Sequence, residues 1–245
     1  MIDIHCHILP AIDDGPATWE MATEMVRIAV ADGIEHIVAT PHADEQYSFD
    51  RARCAASLER LQEIAGKSLK LTLGCDFHFS YDNVQDALAH PARYTIGETP
   101  YLLLEFSDFG LSPVVLEVIA RLRAAGLLPV ITHPERNLLL QRSPGEVLRL
   151  VEGGCPVQVT ASVLTGNWGE AARQAALWLL EHDAVHALAS DAHSAKHRPP
   201  RLSAARDAAA QHVGGDVARA LVLDNPRAIV AGQGLPYFPK PALRS

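Results

Sequence analysis

Thiols are few and scattered in this chain. Cys6, Cys54, Cys75 and Cys155 contain no C-x-x-C pair, so neither a zinc ribbon nor a dithiol redox motif is expected. Aromatic residues make up only 6% of the 245 positions, and no run of Lys and Arg forms a basic stripe. With a formal net charge of −8 the chain repels a polynucleotide backbone, so nucleic acid is not an expected partner. Net charge does not argue against a phosphorylated substrate, because bound divalent cations reverse the local field. Long apolar runs are missing as well. A stretch such as Leu127-Leu128-Pro129-Val130-Ile131 is far too short to span a bilayer, and no membrane insertion is expected. No charged n-region and apolar h-region precede the first strand pattern, which leads to the expectation of a reducing, cytoplasmic setting.

Aliphatic residues, by contrast, are plentiful. Apolar types fill 48% of the positions, enough for a substantial core, and disorder is excluded except at the ends. Short β-rich runs at 2–4, 36–39, 70–73, 101–105, 128–131, 157–159 and 186–189 alternate with helical patterns at 17–31, 49–65, 113–125, 144–152 and 170–182. Gly33, Gly66, Gly126 and the Gly153-Gly154 pair stand just beyond periodic segments, where helices stop. Further helical patterns follow at 202–212, 217–223 and 225–231. Strands alternating with helices predict parallel pairing through right-handed crossovers. A barrel is preferred over an open sheet, because potential ligands follow almost every strand and a barrel gathers all its strand ends on one face. No linker divides the chain. The expectation is an α/β, single-domain barrel over 1–232, with 233–245 as an extended C-terminal tail carrying Pro236, Pro239 and Pro241.

The chemistry concentrates at those strand ends. His5 and His7, two apart on a strand, project to one face and can reach one metal. Thr40-Pro41-His42 follows the second strand, Gly74-Cys75-Asp76 the third, and Glu105 ends the fourth. Thr132-His133-Pro134-Glu135-Arg136 follows the fifth, and Ser190-Asp191-Ala192-His193 the last. His or Asp/Glu at six strand ends of a Leu- and Ala-rich chain is improbable as core decoration. Imidazole and carboxylate donors without thiolates suit Zn, Mn or Fe. Plainer roles remain open for several of these residues. Asp13 and Asp14, before Gly15-Pro16, form a turn and helix cap as readily as a ligand. Glu105 also fits a buried ion pair, Glu135 fits an orienting role, and Cys6 is expected to face away and pack. His36, His78, His90, His182, His186, His197 and His212 have no comparable placement and are expected on the surface or in the core.

Competing catalytic motifs fail. A cysteine-dependent phosphatase needs an Arg six residues after its Cys, and position 12 is Ile12. Gly66-Lys67-Ser68 resembles the end of a P-loop, but Leu61 stands where its first Gly belongs. No G-x-S-x-G elbow occurs.

Taken together, Met1 to Pro10, Ile12-Asp13-Asp14-Gly15, Ala39-Thr40-Pro41-His42, the His-Pro-Glu-Arg segment and Ser190-Asp191-Ala192-His193 resemble the PHP (polymerase and histidinol phosphatase) superfamily. Within it they are most similar to the bacterial protein-tyrosine phosphatases of capsular and exopolysaccharide synthesis. The likeness runs from residue 1 to about residue 232. It implies a distorted (β/α)7 barrel resembling a TIM barrel, with three divalent metal ions, manganese first, then iron or zinc. It assigns His5, His7, Asp76 and Asp191 to one metal, and Asp76, Glu105 and His133 to a second. Asp14, His42 and His193 fall to a third, and Arg136 and Arg198 to the phosphate. One departure stands out: the family's bridging carboxylate is usually Glu, and here it is the shorter Asp76, with His78 and Asp82 near enough in sequence to substitute.

The implied substrate is phosphotyrosine on protein, by analogy the Tyr-rich tail of a tyrosine kinase controlling polysaccharide export. A phenol leaving group, with a pKa of about 10, needs little help from a general acid. The rival readings are a phosphatase of histidinol phosphate, a degenerate binding module of a polymerase, and a barrel amide hydrolase. The two arginines disfavour the last, and the near-complete ligand set disfavours the binding module.

Overall fold

The structure is a computed structural model, and it describes residues 1–106 and 113–241. All strand pairings among the described residues are parallel. One sheet has the order β1 (Ile2–Cys6), β2 (His36–Ala39), β4 (Lys70–Leu73). The other runs β3 (His42–Ala43), β5 (Asp76–His78), β6 (Tyr101–Glu105), β7 (Leu128–Thr132), β8 (Val157–Thr160), β9 (Ala187–Ala189). Each of the seven expected strands is present, and β3 and β5 are additions. They are the far halves of two runs that leave the ladder at Thr40-Pro41 and at Gly74-Cys75. Pro41 has no N–H to give a ladder. A Cβ on Gly74 would stand 2.8 Å from Val38 Cγ1, so this close approach requires glycine. On the other side the two sheets are stitched through β1. Asp191 N–H donates to His5 O at 2.8 Å, His7 N–H donates to Ala192 O at 2.8 Å, and Cys6 bridges Ala192 in parallel.

The helices are α1 (Trp19–Ala31), α2 (Arg51–Ala65), α3 (Tyr81–Ala89), α4 (Pro113–Ala124), α5 (Leu138–Arg142) and α6 (Gly145–Glu152). They continue with α7 (Ala161–Leu164), α8 (Gly169–Glu181), α9 (Ser203–Val213), α10 (Gly215–Arg219) and α11 (Asn225–Val230). The N-cap of α1 is Thr18, whose hydroxyl accepts from Met21 N–H, so neither Asp13 nor Asp14 caps that helix. The helix predicted over 217–223 is split, α10 passing into a π-helical turn at Ala220–Asp224. After α11 the chain has neither helix nor strand up to 241, yet it is tied down. Asn225 exchanges two hydrogen bonds with the Tyr237 backbone, and Tyr101 Oη donates to Gln233 O at 2.6 Å. The last four residues of the expected tail, 242–245, lie outside the described residues.

β1 is buried at all five positions, as parallel strands covered on both faces are. Ile2 and Ile4 join an inner cluster with Val38, Leu103, Val130, Ala187 and Ala189, closed by Ile229 of α11. Cys6, Ile37, Leu102, Leu104, Ile131 and Leu188 pack outward with the helices. Ile4 and Cys6 are two apart yet belong to opposite layers. The register of β1 against β2 shifts between Asp3 and Cys6, and this irregularity turns His5 inward beside Ile4. Aliphatic side chains fill the interior, and its ionisable side chains gather at the C-terminal strand ends, with buried His36 and His186 lying apart from them.

Candidate metal centre

Register places the donors side by side. β3 sets His42 opposite Asp76, and β6 sets Glu105 opposite His78. Three groups of donors come together, each with ligand atoms within 4.8 Å of one another: His5, His7 and Asp76; His42, Asp76 and Glu105; and His7, Asp14, His42 and His193. Asp191 joins the first, its Oδ1 lying 3.6 Å from Nε2 of both His5 and His7. His133 reaches the second, its Nε2 3.5 Å from Glu105 Oε1. His193 Nε2 and His42 Nε2 stand 3.2 and 3.5 Å from Asp14 Oδ1.

All nine expected donors are therefore drawn to one end of the strands. The grouping departs from the expectation in two respects: His7 also reaches the third group, and His42 also reaches the second. His78, expected on the surface or in the core, has Nδ1 3.7 Å from Glu105 Oε2 and sits at the margin. Asp82 is exposed in the first turn of α3 and is not among the residues brought together.

Asp76 decides the character of the site. It is fully buried, and neither of its carboxylate oxygens has a hydrogen-bond partner. An ionised carboxylate left so in the interior costs several kcal/mol unless cations surround it. Its neighbours are the imidazoles of His5 (3.5 Å), His42 (3.2 Å) and His7 (4.0 Å). A set of nitrogen and carboxylate donors around a buried carboxylate that accepts no hydrogen bond fits divalent cations.

Proton affinities carry the same signature. Burial by itself depresses His5 and His42. Asp76 and Asp191 overcome it for His5, raising its pKa to about 9, and Asp76 with Glu105 raises His42 to about 10. Burial, with His193 alongside, lowers His7 to about 4 despite Asp13. Burial works against ionising Asp76, but His5 and His42 outweigh it and hold its carboxyl well below the usual range. His5 and His42 hold protons where a cation would bind, so loading a metal there displaces protons.

Backbone strain gathers here too. His133 (φ 33°) and Asp191 (φ 49°) occupy left-handed backbone, at a cost on the order of 1–3 kcal/mol each. His133 opens the turn Pro134–Arg136, and the turn carries Arg136 back over the cluster. Arg136 donates to Asp191 Oδ2, and Arg198 donates to the same oxygen at 2.7 Å. Asp191 thus faces the imidazoles with one oxygen and the two arginines with the other. A cavity of about 330 Å³ lies alongside, lined among others by Glu105, Phe106, His133, Arg136, Leu138 and Trp168.

Several orienting and anchoring roles were not expected from the sequence. Asp13 Oδ2 accepts from His7 Nδ1 at 2.7 Å and from His42 N–H at 3.1 Å. Gln158 Oε1 pairs with His5 Nδ1 at 2.9 Å. Both direct Nε2 of their ring toward the cluster, the orienting role that partners of metal-bound imidazoles play. Asp3, fully buried, accepts from Ser190 N–H and Oγ and anchors the segment leading to Asp191. Glu135 does orient, as expected: its Oε1 accepts from Thr160 N–H at 2.9 Å. Cys6 is buried and packs outward.

A profile of the family described as capsular polysaccharide synthesis, CpsB/CapC, matches residues 1–231. The chain belongs to that family. It is 36% identical over 202 residues to the tyrosine-protein phosphatase YwqE of Bacillus subtilis (strain 168), covering 81% of this chain and 79% of the relative. It is 29% identical over 242 residues to the tyrosine-protein phosphatase CpsB of Streptococcus pneumoniae, covering 95% and 99%. It also superposes, at a TM-score of 0.91 and 31% identity with 100% of both chains covered, on a crystal structure reported for YwqE from Bacillus subtilis and CpsB from Streptococcus pneumoniae, described as unique metal-dependent tyrosine phosphatases.

Proposed function

We propose that this protein is a metal-dependent protein-tyrosine phosphatase. The observation that carries the reading is Asp76, buried among three imidazoles with no hydrogen bond to either oxygen, in a chain of the CpsB/CapC family. Three divalent ions are proposed, manganese first: one on His5, His7, Asp76 and Asp191, a second on Asp76, Glu105 and His133, a third on Asp14, His42 and His193. The three donor groups support that number. Bound divalent cations supply Lewis acidity and an activated water for in-line attack on phosphorus. The chain's own part is orientation. Asp13 and Gln158 fix the His7 and His5 rings, and Arg136 and Arg198 offer planar forks to the phosphoryl oxygens. The cavity beside them is lined in part by Phe106, Leu138 and Trp168, which suits an aryl group.

The finer reading takes 1–232 as the enzymatic unit and its strands as a closed, distorted (β/α)7 barrel. The hydrogen bonds joining β1 to Asp191 and Ala192 support closure. The proposed substrate is the tyrosine-rich tail of a kinase of polysaccharide export, met in the cytoplasm. Among the described residues no helix is long and apolar enough to cross a membrane. The deciding assay compares phosphate release from a phosphotyrosine peptide and from histidinol phosphate, with manganese and after chelation. Faster turnover of histidinol phosphate, or activity that survives full chelation, would overturn the proposal.

A further inference from the structure

Trp168 stands in a conformation its side chain disfavours. Its φ is 73°, left-handed backbone that a bulky residue rarely adopts, between the positive-φ glycines Gly166 and Gly169. Trp168 is 42% exposed, so its surroundings cover it only in part. Its Nε1–H donates to Ser162 Oγ at 3.3 Å, which fixes the rotation of the ring. The ring faces two guanidinium groups. The guanidinium carbon of Arg136 lies 3.9 Å from the ring centroid, and that of Arg198 lies 5.0 Å away. Those two arginines come from distant segments, after β7 and after β9, and both lean on one oxygen of Asp191. Two like charges on a single oxygen repel each other. The negative face of an indole is a neutral surface that attracts both.

We propose that Trp168 is a positioning residue that holds the guanidinium groups of Arg136 and Arg198 as one phosphate cradle beside the metal centre. The inference rests on the phosphatase reading of the site. Trp168 acts through the two guanidinium groups, by limiting the freedom of two donors that must arrive together. Leucine at 168 fills space without a π face, phenylalanine restores the face, and glycine relaxes the backbone while removing the face.

The test is calorimetric titration of inorganic phosphate into the full-length, metal-loaded protein, with metal content measured on each variant. Trp168→Leu is expected to weaken phosphate binding roughly tenfold, the scale of a partly desolvated cation–π contact, at unchanged metal content. Trp168→Phe should stay within about threefold of wild type, and Trp168→Gly should weaken like Leu. In an Arg136→Ala background the Leu substitution should cost clearly less than in wild type, because the two residues act through each other. Wild-type affinity in Trp168→Leu, or an undiminished loss in the Arg136→Ala background, would overturn the proposal. Should the Leu variant fail to fold, Phe and Gly decide, and equal affinities in those two would overturn it. A wild-type protein that binds phosphate through Trp168 but leaves phosphotyrosine peptide intact would sink the proposed function and leave this inference standing.

Discussion

Asp13 Oδ2 lies 2.7 Å from His7 Nδ1 and so selects which nitrogen of that imidazole faces the cluster. The same oxygen accepts from the His42 backbone, coupling two strand ends. Asp13→Asn keeps the size but loses the charge and one acceptor. Loss of such an orienting partner is expected to cost about 10–100-fold in metal affinity or activity. Elemental analysis after dialysis against graded chelator, alongside turnover, checks this; full retention of both would show that Asp13 only shapes the turn at Gly15.

Asp76→Ala is expected to empty the positions that share this carboxylate and to lower activity roughly a hundredfold or more. Single-ligand losses such as His133→Ala should release less metal. Anomalous scattering from crystals of both variants locates the ions. Three fully occupied positions in Asp76→Ala would mean that another residue makes the bridge, His78 being the one within reach of Glu105.

Arg136→Lys keeps the charge and loses the planar fork. The expected result is a KM raised by about tenfold with metal content intact, since the donor groups do not include Arg136. Steady-state kinetics with metal analysis separates this from a structural role, which would show as lost metal or unchanged kinetics.

His186 gives a pH dependence remote from the cluster. Its ring is buried, Nδ1 accepts from Val157 N–H at 3.1 Å, and burial lowers its pKa to about 3. The unfolded chain protonates this histidine below about pH 6.5, whereas the folded chain does so only near its depressed pKa. Stability therefore falls as pH drops through that window, by up to about 1.4 kcal/mol per pH unit from this group. His186→Asn, which keeps an acceptor near Nδ1, should flatten the slope. Denaturant midpoints at pH 7 and pH 5 in chelator measure it, and equal slopes for the two proteins would refute the assignment.

The ligand-bearing strand ends were legible because each donor directly follows an apolar run, a local pattern. The partners of those ligands were not. Gln158 lies 153 residues from His5, and only the fold makes them neighbours. Asp13 and Asp14 posed a different problem, since two adjacent carboxylates read alike. The turn sends one to His7 Nδ1 and the other to His193 and His42. β3 and β5 are too short to leave a periodic signal, as are α5 and α7, whereas α3, at nine residues, buries only Val84 and Ala87 and so leaves a faint apolar stripe. In the structure Ser80 caps that helix, accepting from Asn83 N–H. Trp168 left no trace in the sequence, because its place depends on left-handed backbone and on two arginines from other segments.

Asp191 faces two ways, Oδ1 toward His5 and His7 and Oδ2 toward the two guanidinium groups. Under the proposed assignment one carboxylate would serve two binding equilibria. With a cation held on the imidazole side, the group would grip the arginines less tightly, leaving them freer for an incoming phosphoryl group. Thermodynamic reciprocity then requires the converse: phosphate must tighten metal retention by the same factor by which metal tightens phosphate. A metal-starved protein would on this account be a poor binder of its substrate as well as a slow catalyst, and product at high concentration would guard the centre against chelation.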